Sequence, residues 1–226
     1  MMQLKMPDRR YDLIVFDWDG TIMDSTGLIA ECIQLAARDM QLPVPTLAQA
    51  KSIIGLGVVE STRRLFPQMS ATAQMQYALN YRKHFVVRDH EAPLYDGIRE
   101  LLVSLAAPER FLAVATGKPR AGLERAFAHS GLKAHFHYSR CADEGFPKPN
   151  PDMLLKLMNF TAVPPDRTLM IGDTTHDLLL AQNAGVDALA VAYGAHPRGE
   201  LEHLPALKIM DSVEELSAWM RINAYC

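Results

Sequence analysis

The chain has 226 residues, 49% of them hydrophobic and 22% charged, the proportions of a globular protein that buries a sizeable core in one large domain. Its 23 basic and 26 acidic residues give a net charge of −3, no basic excess for a nucleic-acid backbone, and no apolar run approaches the ~18 residues of a membrane span. Residues 1–12 are polar and lack a signal-peptide pattern, and Cys32, Cys141 and Cys226 are too scattered for a disulfide framework or a zinc site, so free thiols and a cytoplasmic location are expected.

In chain order, the first apolar run, Leu13-Ile14-Val15-Phe16, ends at Asp17. Four continuous apolar residues suit a strand buried on both faces of a parallel sheet. Residues 24–94 then contain no convincing strand. Helical patterns fill this stretch over 24–40, 47–54, 58–66 and 70–88, punctuated by Pro43, Pro45, Gly55, Gly57 and Pro67. A block of this length is too long for a simple crossover and predicts an inserted helical subdomain. The α/β rhythm resumes with a helix over 97–106, whose Ile98, Leu101, Leu102 and Leu105 share one stripe, and a strand from Phe111 to Ala115 that runs into Thr116. A helix over 119–130 opens with proline and stops at Gly131. His135 and His137 flank Phe136 in what reads as a short strand, and Asn150-Pro151 suits the cap and first position of another helix. Leu169 to Ile171 predicts a strand ending at Gly172-Asp173, residues 177–184 a helix, and Ala188 to Tyr193 a further strand. The pattern predicts an α/β fold with a Rossmann-like parallel sheet, its core made of 1–23 and 95–226, and a helical cap over 24–94.

Four polar clusters fall just beyond predicted strand ends, where open parallel sheets place their sites. They are Asp17-Trp18-Asp19-Gly20-Thr21, Thr116-Gly117-Lys118, the Lys148 turn, and Gly172-Asp173-Thr174-Thr175-His176-Asp177. At average residue frequencies the first pattern arises by chance in roughly one chain in 350 of this length, which makes it a specific signal. Asp17, Asp19, Asp173 and Asp177 would gather several negative charges, a costly arrangement unless a cation joins them. Hard oxygen ligands of that charge suit Mg²⁺, and Lys148 adds a second positive charge. Thr116 and backbone N–H groups at a helix start can donate to phosphate oxygens. Together these groups predict a phosphoryl-transfer site. For Asp177 the alternative is an acid that merely opens a helix on a solvated edge.

Asp17-x-Asp19-Gly20-Thr21, Thr116, Lys148 and Gly172-Asp173-x-x-x-Asp177 resemble, in order and placement, the four motifs of the haloacid dehalogenase-like hydrolases. The likeness runs from Leu13 to about Met210 and is closest to the cap-bearing phosphatases similar to phosphoglycolate phosphatase. The resemblance implies that Asp17 is the nucleophile and forms an aspartyl-phosphate, and that Asp19 protonates the leaving oxygen and then activates water. It implies Mg²⁺ on the Asp17 carboxylate, the Asp19 carbonyl and Asp173, with Asp177 supporting. Gly20, Thr116, Gly117 and Lys148 would bind the phosphoryl group of a small phosphorylated substrate. Gly117 stands where many relatives carry asparagine, and Trp18 where a smaller apolar residue is common; Trp18 is expected to pack beside the site. In the cap, Gly55-Leu56-Gly57 resembles a substrate-specificity turn, and Arg63 and Arg64 are candidates to meet a carboxylate or second phosphate. Halide-removing members lack an acid at Asp19 and need no metal, so a phosphatase is expected. A sugar-phosphate mutase, a pyrophosphatase and a non-catalytic phosphoryl-binding regulator share parts of the pattern. The sequence leaves the oligomeric state open.

Overall fold

The computed structural model describes residues 11–106 and 110–223. Cys226 and most of the polar N-terminal stretch lie outside them, while Cys32 and Cys141 are buried free thiols. Strand β1 (Leu13–Phe16) is followed by four helices, α1 (Thr26–Asp39), α2 (Leu47–Lys51), α3 (Val58–Leu65) and α4 (Ala71–Val86). The chain then runs through α5 (Ile98–Leu105), β2 (Phe111–Thr116), α6 (Arg120–Ser130), β3 (Tyr138–Cys141), α7 (Asp152–Thr161), β4 (Thr168–Gly172), α8 (Thr175–Ala184), β5 (Asp187–Val191), α9 (Arg198–Leu201), β6 (Lys208–Met210) and α10 (Val213–Asn223). The described strands form one sheet in the order β3-β2-β1-β4-β5-β6, and every pairing is parallel. This is the doubly wound order whose switch point lies between β1 and β4, the crevice in which such sheets bind ligands.

Period-two alternation divides the strand residues between two cores. Ile14, Phe16, Leu112, Val114, Leu169 and Ile171 pack on one face with α5, α6 and α10. Leu13, Val15, Ala113, Ala115 and Met170 pack on the other with α7 and α8. Because β1 and its neighbours are buried on both sides, their sequences read as unbroken apolar runs. No helix among the described residues is long and apolar enough to cross a membrane.

Helices α1 to α4 stand over the carboxyl ends of the strands and carry apolar clusters of their own, around Ile29, Ile33, Ile54 and Phe85 and around Ala36, Ala37 and Tyr77. The two chain crossings into this unit run side by side. Met23 bridges Leu94 in antiparallel fashion, the Asp24 amide donates to the Pro93 carbonyl (2.9 Å), and the Tyr95 amide donates to the Ile22 carbonyl (3.1 Å).

Several local expectations differ from the structure. His135 closes a short 3-10 turn, Lys133–His135, and the strand begins only at Tyr138. This β3 is an edge strand with three partly or fully exposed residues, Tyr138, Ser139 and Arg140, so it lacks the apolar run that marks a central strand. Pro151, not Asn150, occupies the cap position of α7, and the Asn150 side chain accepts from the Asp152 amide (3.0 Å). Helix α8 begins two residues before Asp177, because Thr174 caps it and Asp177 answers from the third position.

Candidate active site

The register of the sheet assembles the site. Phe16 is level with Ile171 of β4 and Val114 of β2, so Asp17, Gly172-Asp173 and Thr116 emerge together at the carboxyl edge. The Asp17 amide still donates to the Ile171 carbonyl (2.9 Å), which fixes the backbone from which the carboxylate projects. The chain then turns tightly: the Trp18 carbonyl accepts from the amides of Ile22 (2.9 Å) and Met23 (3.0 Å). The Trp18 indole, fully buried, packs edge-on to Phe127 at 5.1 Å between ring centres, as expected for a residue beside the site.

Gly20 adopts φ +82°, and a Cβ there would collide with the Asp173 carboxylate and with Thr26. Its amide donates to the Met23 carbonyl (2.8 Å), so the expected phosphate contact is not available from this N–H. The physical role of Gly20 is to let the first loop pass against Asp173.

Asp17, Asp173 and Asp177 are buried with carboxylate oxygens within 4.8 Å of one another. Lys148, whose side chain is fully buried, places Nζ 2.9 Å from Asp17 Oδ1 and 2.6 Å from Asp177 Oδ1. Burial by itself would lower the lysine pKa, but Asp17 and Asp177 outweigh it and hold the ammonium charged. Asp173 is oriented through both oxygens, accepting from Thr21 Oγ1 (2.8 Å) and the Ala195 amide (2.7 Å). Asp177 Oδ2 accepts from the Thr174 amide (3.0 Å) and hydroxyl (2.7 Å), so this acid holds Lys148 and caps α8 at once. The helix-opening alternative for Asp177 therefore describes its local geometry, but in the interior of the site and not on a solvated edge.

Asp17 differs from its neighbours. Its Oδ1 accepts from the Trp18 amide (2.6 Å), whereas Oδ2 is buried with no hydrogen-bond partner. Three carboxylates face one ammonium, so the buried cluster is short of positive charge. Accordingly burial, with Asp177 nearby, pushes the Asp17 carboxyl up to about 7, and burial with Asp17 and Asp177 raises Asp173 well above the carboxylate range. A bare acceptor and unbalanced charge in an all-oxygen pocket fit a hard divalent cation. Asp17 and Asp173 would hold it, with Asp177 adjoining.

The Asp19 side chain lies apart from this triad. Its Oδ1 accepts from Ser25 Oγ (2.6 Å) and pairs with Lys118 Nζ (2.8 Å). Ser25 stands at the cap position of α1 but makes no capping bond, its hydroxyl being turned to Asp19. The sequence placed Lys118 in the second cluster without giving it a role; the signal was its position two residues beyond Thr116. Thr116 is buried, and its Oγ1 accepts from the Lys118 amide (3.1 Å), so the second loop is fixed by the same hydroxyl that faces the site. We predict that Lys118→Met, which frees the Asp19 carboxylate to swing, lowers kcat on a phosphate ester by about 10²-fold with little change in KM, read by steady-state kinetics.

The helical unit of α1 to α4 approaches these loops closely. A Cβ on Gly117 would lie 2.7 Å from the Gly55 carbonyl oxygen, so the absence of a side chain at 117 lets the Gly55-Leu56-Gly57 turn reach the loop after Thr116. Gly57 packs on Pro147, one residue from Lys148. His176, at the start of α8, reaches the Ser52 carbonyl through Nε2 (3.3 Å) and packs against His196, so it joins the core to the α1–α4 unit. Arg63 and Arg64 do not come to the site. Both lie on the exposed side of α3 and pair with Glu60 at 3.1 Å, the ordinary i,i+3 and i,i+4 pattern of a solvated helix.

Comparison with known proteins gives this geometry a family. The model of the haloacid dehalogenase-like hydrolases matches residues 14–191, a span that contains every one of the four clusters. The chain belongs to that family. It is 30% identical over 210 residues to a probable phosphatase IndB of Dickeya dadantii (90% of this chain, 91% of that one). It is 31% identical to a 5'-nucleotidase of Pseudomonas aeruginosa (87% and 90% covered) and 28% identical to a phosphoglycolate phosphatase of Vibrio cholerae (80% and 84%). The solved structure of a predicted phosphatase from Clostridium acetobutylicum superposes with a TM-score of 0.84 at 25% identity, covering 94% of this chain and 99% of that one. The α/β fold of this hydrolase family and the likeness to phosphoglycolate phosphatases, both expected from the motifs, are thus found over nearly the whole chain.

Proposed function

We propose that this hydrolase is a Mg²⁺-dependent phosphatase that cleaves a small phosphorylated metabolite through an aspartyl-phosphate on Asp17, with residues 24–94 acting as its cap. The observation that carries the reading is the Asp17 carboxylate, held through Oδ1 by Lys148 and the Trp18 amide while Oδ2 stays bare. Asp17 attacks phosphorus, and the ester oxygen departs with the electron pair of the broken P–O bond. Asp19, steadied by Ser25 and Lys118, protonates that oxygen and then takes a proton from the water that cleaves the acyl phosphate. Thr116 and Lys148, with the Gly117 loop, bind the phosphoryl oxygens, and Lys148 favours the ionised form of Asp17 against its burial. A bound Mg²⁺, held by Asp17, the Asp19 carbonyl and Asp173, would offset the charge gathered on the transferring group.

The cap turn at Gly55 packs against Gly117 beside the proposed phosphoryl site. The named relatives divide between a phosphoglycolate phosphatase and a 5'-nucleotidase, so the likeness supports the reaction more than any one substrate. The test is phosphate release from a panel of monoesters with Mg²⁺ and with chelator. Multiple turnover that requires the metal is expected; equal release with chelator, or a single turnover that stops at a phosphorylated protein, contradicts the reading.

A further inference from the structure

A cavity of about 430 Å³ leads from Asp17 and Asp19 into the cap, within the ~300–1,000 Å³ of small-molecule sites. Its two ends differ in chemistry. Asp17, Asp19, Thr116 and Lys118 line the core end, whereas the cap wall is built from Ile29, Ile33, Ile54, Leu56, Tyr81 and Phe85. Tyr81 stacks on Phe85 with ring centres 5.6 Å apart and 13° between planes, and Lys118 Nζ lies 4.6 Å from the Phe85 ring centre. The aromatic pair Tyr81 and Phe85 therefore lines the cavity immediately beyond the group that pairs with Asp19. This is where the alcohol half of a bound ester must lie, since the phosphoryl half is held at Asp17.

Two of the polar groups on this wall are already committed. The Tyr77 hydroxyl donates to the Ile33 carbonyl (2.8 Å) and Ser61 Oγ to the Ile53 carbonyl (3.3 Å). The cations at the cavity are similarly engaged: Lys118 by Asp19 (2.8 Å) and Arg125 by Asp89 (2.7 Å), while Arg82 is solvent-exposed. A carboxylate or second phosphate on the alcohol would be drawn out of water against apolar side chains, where the buried cation, Lys118, is already paired with Asp19.

Resting on the phosphatase reading, we propose that the preferred substrate is a phosphomonoester whose alcohol carries a neutral, flat ring, and that short esters with a second anion, such as 2-phosphoglycolate, are poor substrates. The reaction transfers the phosphoryl group to water, leaving the neutral ring-bearing alcohol and inorganic phosphate.

Benzyl phosphate, ethyl phosphate and 2-phosphoglycolate share alkyl-type leaving oxygens, so their kcat/KM values with Mg²⁺ compare the cap's recognition of the alcohol. Benzyl phosphate is expected to exceed the other two by at least about tenfold, the discrimination an apolar pocket gives for a few added carbons. Tyr81→Ala is expected to narrow the benzyl-to-ethyl ratio toward one. Independently of turnover, calorimetric titration of the unaltered protein with benzylphosphonate and with phosphonoacetate should show tighter binding of the former by a similar factor. If phosphonoacetate binds as well or better, or 2-phosphoglycolate is turned over best, the proposal is overturned while the phosphatase reading stands. If benzylphosphonate binds tighter and no ester is hydrolysed, the ring preference stands and the phosphatase reading falls.

Discussion

Asp17→Asn is expected to reduce phosphate release by about 10⁴-fold or more while leaving the fold intact, because it removes the attacking carboxylate and keeps its shape. The same substitution carries a second, opposite effect. In metal-free protein, Asp17 is one of three buried carboxylates opposed by a single lysine, so exchanging it for a neutral amide relieves repulsion. The Tm of the variant in chelator should therefore exceed that of the wild type by a few degrees, and the rise in Tm that Mg²⁺ gives the wild type should shrink. Loss of both activity and stability would point instead to a structural role for Asp17.

The second large effect concerns Lys148. Lys148→Met leaves Asp17 and Asp177 facing each other in the interior without their shared ammonium, an uncompensated arrangement that costs about 3–5 kcal/mol. A drop in Tm on the order of 10 °C and a loss of about 10³-fold in kcat are expected. The defect should depend on pH. Burial raises the Asp17 carboxyl to about 7 in the folded state, from the 3.8 of an unperturbed aspartate. Between those values folded Asp17 binds more proton than the unfolded residue, so its contribution to the stability of metal-free protein falls as pH rises from about 4 to about 7. Without Lys148 that fall should be steeper. Thermal denaturation of wild type, Lys148→Met and Asp17→Asn across this range in chelator isolates the Asp17 contribution: a wild type that gains stability relative to Asp17→Asn as pH rises would contradict the sign.

How far the sequence discloses this molecule depends on where each residue sits. The central strands are legible because both faces of β1, β2 and β4 are covered, which forces the unbroken runs at Leu13, Phe111 and Leu169. Edge strands are not forced in this way. Tyr138-Ser139-Arg140-Cys141 and the three-residue Lys208-Ile209-Met210 carry mixed residues, since one side of each strand has no neighbour. Helix α10 did carry a legible stripe, Val213, Leu216 and Met220, whose spacing matches one helical face, but it had no place in the expected scheme. The motif acids are legible since each follows a strand. Partnerships across loops are not: nothing in local spacing joins Lys118 to Asp19, or Lys148 to Asp177 across twenty-nine positions. Arg63 and Arg64 show the converse error, in which residue type suggested an anion site and the nearby Glu60 accounts for both. The cap's apolar wall went unread for a related reason, because Ile33, Ile54 and Phe85 serve as core and as pocket lining at once.

The central claim is covalent transfer to Asp17, and it is tested most directly by trapping. Wild-type protein turning over a phosphate ester with Mg²⁺ would be quenched in acid, digested, and its peptides read by mass spectrometry after borohydride reduction of any acyl phosphate. The account predicts modification at Asp17 alone, absent when chelator replaces Mg²⁺ and absent from Asp17→Asn. Full turnover with Asp17 unmodified, or a phosphoryl group found on another side chain, would contradict it.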